Sequence, residues 1–178
     1  MKEINLQIRY LGDPILRKKT EKVEKITPEF SEFLEVFFSQ MYKLDGIGLA
    51  APQLGISLSF FVMDDGERKR AVINPEITRF GKEEITFEEG CLSVPEIYAD
   101  IVRPREISVK YMNELGEIVE ENLTDQTARI FQHEFDHLEG ILFTDKLSVV
   151  QKARLKKQLQ KIIKDGKKTA KEIGEIKL

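Results

Sequence analysis

The sequence predicts an α+β fold in which antiparallel sheets pack around a central helix, with one helix before them and one after. Three observations carry this. The extended segments follow one another in a block rather than alternating with helices, which disfavours a parallel sheet. Helical spacing of apolar residues is confined to three stretches. Asn113–Gly116 has the composition of a hairpin turn between two strands.

The first helix is signalled by Thr27-Pro28-Glu29, an N-cap oxygen followed by Pro at the first helical position and an acid at the positive dipole end. Phe30, Phe33, Leu34, Phe37, Met41 and Leu44 then form one apolar face, and Asp45-Gly46 ends it. A Gly-rich loop follows. Leu58–Met63 reads as a buried strand, and Asp65-Gly66 as a turn into a second strand around Ala71–Ile73. Short extended segments are expected at Ile85–Glu88, Ile97–Val102, Ile107–Met112 and Glu117–Leu123. Thr124 is placed to cap a helix running to Leu138, with Gly140 beyond its end. Ser148 and Gln151 form a capping-box pattern before the last helix, whose stripe is Leu155, Leu159, Ile162 and Ile163. Gly166 is expected to end it. The division is therefore a single domain over 1–165 that includes the C-terminal helix, and a basic, flexible tail over 166–178.

Composition narrows the function classes. The 178 residues are 41% hydrophobic and 33% charged, as in a soluble globular protein. No apolar run approaches a membrane span and no signal-peptide stretch opens the chain, so no membrane partner is expected. One Cys rules out an internal disulfide framework and points to a reducing, cytoplasmic setting. Charge is uneven. Residues 151–178 carry ten Lys/Arg and three Asp/Glu, or +7; the rest carry eighteen and twenty-eight, or −10. An acidic body with a basic end suggests an anionic partner there, although a solvated Lys-rich helix explains the charge equally well.

The chemistry lies in the scarce residues. In Gln132–Gly140, His133 and His137 stand four apart, on one face of a helix. Glu134 sits beside them, giving the His-Glu-x-x-His pattern in helical context. No third His exists, so the other soft donor available is Cys91, in Glu-Gly-Cys-Leu-Ser at a strand end. Cys91, His133 and His137 leave a fourth position open for water, the mark of a catalytic rather than a structural site. These donors on spacing alone suggest zinc. The segment Gly46–Gly55 lacks the Gly-Lys-Ser/Thr ending of a phosphate loop, so no nucleotide cofactor is expected. Its small residues instead suit close backbone approach to a ligand, with Gln53 offering an amide to polarise an oxygen.

Three segments together resemble the bacterial peptide deformylases. Gly46, Gly48, Ala50, Ala51 and Gln53 match Gly-x-Gly-x-Ala-Ala-x-Gln; Glu89, Gly90, Cys91 and Ser93 match Glu-Gly-Cys-x-Ser; His133, Glu134, Asp136 and His137 match His-Glu-x-Asp-His. The resemblance spans roughly residues 5–165. It implies a metal-dependent hydrolase that removes the formyl group from the N-terminal formyl-methionine of nascent polypeptides, releasing formate. It further implies that Cys91, His133 and His137 hold the ion, usually Fe2+, with Zn2+, Ni2+ or Co2+ accepted by the same donors. Glu134 becomes the general base and then the general acid. Gln53 and the Leu92 backbone N–H meet the oxyanion. Gly46, Ile47, Gly48, Glu89 and Ile130 contact substrate, and Asp136 and Glu89 support the ligands. Arg103 is expected to brace Asp45. By the same resemblance the basic C-terminal helix docks on the ribosome near the exit tunnel. Two other readings stay open on the residues themselves: a general His-Glu-x-x-His metallopeptidase with a structural Cys, and a non-enzymatic metal-dependent module.

Overall fold

The computed structural model describes residues 6–176. Helix α1 is Pro28–Lys43, and its Thr27 hydroxyl accepts from the Phe30 N–H as the sequence requires. The Gly-rich segment is less irregular than expected. Gly48–Ala50 forms a short strand, β1, and Ala51–Leu54 a 3-10 turn. Strands β2 (Phe60–Asp64), β3 (Lys69–Phe80), β6 (Glu106–Met112) and β7 (Ile118–Thr124) complete a five-stranded antiparallel sheet ordered β1-β2-β3-β6-β7. Strands β4 (Glu84–Cys91) and β5 (Val94–Pro104) form a separate two-stranded ribbon. Most strands outrun the apolar segments that announced them.

Helix α2 is Asp125–Leu138, packed between the sheet and the ribbon. The alternation of β2 explains how the sheet is covered on both faces. Phe60 and Val62 meet Phe33, Phe37 and Met41 of α1, with the Phe37 and Phe60 rings edge-to-face at 5.1 Å. Phe61 and Met63 meet Ala128 and Phe131 of α2. A strand buried on both sides needs the uninterrupted Phe-Phe-Val-Met run found here.

Two expectations about helix ends are corrected. Thr124 occupies the N-cap of α2, but its side chain makes no capping bond. The last helix does not end at Gly166: α3 runs Val149–Ile173. Gly166 is buried within it, where a Cβ would overlap the backbone carbonyls of Leu11 and Tyr10. The glycine serves close approach rather than termination. Of the expected tail, 167–173 is therefore helical, and 177–178 lie outside the described residues. The Ser148–Gln151 capping box forms as read. Leu155, Leu159, Ile162 and Ile163 pack against a third apolar cluster that includes Leu11, Val94 and Ile97. Among the described residues, no helix is long and apolar enough to cross a membrane.

Candidate metal centre

Cys91 ends β4, and one turn of α2 separates His133 from His137. The ribbon brings the thiol onto the helix: one donor atom from each of Cys91, His133 and His137 lies within 4.8 Å of the others. Cys91 Sγ is 3.3 Å from His137 Nε2, and the two imidazole rings are 5.2 Å apart. One sulfur and two nitrogens converging at the floor of a cleft match the ligand set of a catalytic divalent-metal centre.

Glu89 orients this set. Its carboxylate accepts from Arg103 Nε (2.6 Å) and Nη2 (2.9 Å), from Arg129 Nη1 (2.7 Å), and from His133 Nδ1 (2.9 Å). With Nδ1–H committed to Glu89, His133 presents Nε2 to an ion. Burial opposes the Glu89 charge, but the hydrogen bonds from His133 and Arg103 prevail and hold its carboxyl far below the usual range. Arg103 also donates to Asp136 at 2.8 Å. This corrects the expected bracing of Asp45: the Arg103 guanidinium lies among Glu89 and Asp136, on the ligand side of the ribbon. Arg129 was not singled out in the sequence. It donates to Glu89 and to the carbonyls of Ile101 and Ile85, stitching both ribbon strands to α2. Its isolated position in an apolar stretch carries no local signal.

Glu134 stands in contrast. It is 4% exposed, and its Oε2 has no partner among the described residues. Burial pushes its pKa up to about 7, with His133 pulling the other way. Gly48 makes room for it: a Cβ there would overlap the Glu134 carboxylate. Gln53 is equally constrained. Its Oε1 accepts from the Ala50 N–H at 2.9 Å, so Nε2 must face the site, where it donates to Ser93 Oγ (3.2 Å) and lies 3.6 Å from Cys91 Sγ.

A cleft of about 520 Å³ opens over these groups. Gly46, Ile47, Gly48, Gln53, Glu89, Cys91, Leu92, Ile130, His133 and Glu134 all line it, as do Phe87, Tyr98 and Arg129. His137 and Ser93 lie behind this wall, both fully enclosed. Ile47 is half-exposed at the mouth, and Ile130 is buried deeper.

Residues 5–153 match the family model of polypeptide deformylase. The chain belongs to this family. It is 49% identical over 163 residues to the peptide deformylase of Pseudothermotoga lettingae, covering 92% of this chain and 95% of that one. The fold is similar to the crystal structure of Thermotoga maritima peptide deformylase, with 52% identity and a TM-score of 0.78 over 80% of this chain and 97% of that chain. Arabidopsis thaliana peptide deformylase 1B is similar at 35% identity, TM-score 0.86, over 92% and 93%. As a deformylase, the chain is a metal-dependent hydrolase that removes the N-formyl group from nascent polypeptides.

Proposed function

We propose that Cys91, His133 and His137 hold one divalent cation and that Glu134 moves the protons of deformylation. The observation that carries this reading is the buried Glu134 carboxylate, one oxygen of which has no partner among the described residues, beside three convergent donors. A cation on those donors supplies Lewis acidity, polarising a carbonyl oxygen and acidifying water. Glu134 takes a proton from the attacking water as its oxygen adds to the formyl carbon. The oxyanion that forms is met by Gln53 Nε2, whose direction is fixed by the Ala50 bond, and by the Leu92 backbone N–H. Glu134 then returns the proton to the methionine nitrogen as the C–N bond breaks, leaving formate and a free amine. Glu89 keeps His133 in the ligating tautomer and Asp136 steadies Arg103.

The methionine side chain enters the cleft between Ile47, Glu89 and Ile130, and Gly46 and Gly48 admit the substrate backbone. Fe2+ is the proposed native ion, on the family resemblance; sulfur and nitrogen donors also accept Zn2+, Ni2+ and Co2+. No nucleotide takes part. The setting is the cytoplasm, where formylated nascent chains are made. The exposed lysines of α3, including Lys152, Lys156, Lys157 and Lys164, form the ribosome contact near the tunnel exit.

The deciding experiment is anaerobic purification with metal analysis, followed by formate release from formyl-Met-Ala against acetyl-Met-Ala. Stoichiometric metal, with formate released from the formyl peptide and no cleavage of the acetyl one, supports the reading. Cleavage of internal peptide bonds would replace it. Ribosome co-sedimentation that declines steeply with salt supports the α3 contact, and co-sedimentation unchanged after removal of α3 would discard it.

A further inference from the structure

Gln53 is held from behind by a segment near the start of the chain, which a turn near its end holds in place. Arg9 N–H donates to the Gln53 carbonyl at 2.7 Å, and Leu11 N–H donates to the Ser93 carbonyl at 2.8 Å. One short segment, residues 9–11, thus grips both members of the Gln53–Ser93 pair on the side away from the cleft. The segment is itself locked by α3. A Cβ on Gly12 would overlap the backbone of Ile163, and one on Gly166 would overlap that of Leu11, so strap and helix cross backbone to backbone.

The Arg9 guanidinium closes the arrangement. It is 3% exposed, pairs with Asp13 at 3.2 Å and donates to the carbonyl of Gly174, just past α3. It lies against Gly55, the residue that ends the Gln53 turn at φ 84°, where no Cβ would fit. The Gly55 carbonyl in turn accepts from Ile176 N–H at 2.8 Å, and Ile176 packs into the α1 core. Arg9 Nε finds no acceptor among the described residues. Stability alone is often served as well by an apolar side chain in place of such a buried pair. The family match ends at residue 153, so Gly174–Ile176 lies outside it.

We infer that Arg9 is a positioning residue for Gln53, and that the Gly174–Ile176 turn is the clasp that holds Arg9 in place. The inference rests on the proposed oxyanion role of Gln53. A strap of this kind sets where Gln53 Nε2 stands when charge develops on the substrate oxygen. It acts on turnover rather than on substrate capture, since Arg9 lines no part of the cleft.

The test is a double-mutant cycle on the nickel-loaded full chain, reading kcat and KM for formyl-Met-Ala. Arg9→Met is expected to lower kcat about tenfold with KM within about twofold; loss of one oxyanion donor outright, in Gln53→Ala, costs about 100-fold. In the Gln53→Ala background, Arg9→Met should change kcat less than about twofold. Arg9→Lys, which keeps the Asp13 pair but not the fork to Gly174, should fall between. Multiplicative losses in the double variant, or a change in KM alone, would overturn the positioning role. An unchanged kcat in Gln53→Ala would instead reject the oxyanion role beneath it. If Arg9→Met does not fold, a chain ending at Ile173 carries the same cycle: kcat should fall severalfold with Gln53 present and not in its absence, and equal losses in both backgrounds would refute the clasp.

Discussion

Two carboxylates tie down α2, one at its start and one at its middle, and they do different work. At the N-terminal end, Asp65 in the β2–β3 turn accepts from the N–H groups of Arg68 (2.8 Å) and Glu67 (3.0 Å), from Arg70 (2.7 Å) and from the Thr127 hydroxyl (3.1 Å). At the middle of the helix, Glu89 accepts from Arg129 and His133, and also from Arg103 of the ribbon. Both carboxylates have several donors, yet only Glu89 touches a ligand of the centre. One hub fixes where the helix starts, and the other fixes which nitrogen its histidine shows. Beside the second hub Glu134 keeps an oxygen with no partner among the described residues. Of these three carboxylates, the two with several donors position the helix, and the one with an open oxygen is the one proposed for the chemistry.

The sharpest way to break this contrast is Glu134→Ala. We expect kcat to fall by about 10²–10⁴-fold with metal content unchanged, measured by formate release and metal analysis. Undiminished turnover would show that the unbonded oxygen is idle. Glu89→Gln comes next. It removes the charge that two buried guanidinium groups share and frees His133 to rotate, so metal affinity should fall about 10–100-fold in chelator competition. Unfolding stability should drop by about 3 kcal/mol. Equal metal affinity in variant and parent would reduce Glu89 to a second Asp65.

Asp65→Asn should cost about 1–2 kcal/mol in denaturant unfolding and leave kcat/KM of the metal-loaded enzyme within about twofold. This hub also has a pH signature. Burial works against the Asp65 charge, but the Arg68 N–H, Arg70, the Glu67 N–H and Thr127 outweigh it and hold the carboxyl at about 2, against an ordinary 3.8. Its contribution is therefore complete above about pH 4 and is lost as the pH falls toward 2. The difference in stability between parent and Asp65→Asn should shrink over that window, and a constant difference would mean that Asp65 is not charged in the fold. The smallest effect belongs to the cap. Thr124 makes no side-chain bond, so Thr124→Ala should change stability by no more than about 0.3 kcal/mol, whereas Thr27→Ala, which removes a real cap, should cost about 1 kcal/mol.

What the sequence disclosed follows from how local each cause is. Thr27-Pro28-Glu29 acts within one turn, so α1 was legible almost to the residue. Three scarce donors left few ways to build a metal site, so Cys91, His133 and His137 could be named together. Arg129 gave no sequence signal because its partners lie on other elements: it bonds to carbonyls 28 and 44 residues away. Asp65 was legible as a turn residue, but its bond to Thr127, 62 residues on, was not. The Arg103 partner was misassigned for the same reason. Gly166 was misread because a glycine needed for contact and a glycine needed for termination look alike until the neighbouring backbone is known.

The backbone crossing at Gly12 and Gly166 has a mechanical consequence. A rod seated in a notch cannot roll or slide, so α3 shows its lysines at a fixed bearing relative to the cleft mouth. Any surface that took hold of that rod would also decide which way the mouth faces, with no hinge between grip and opening.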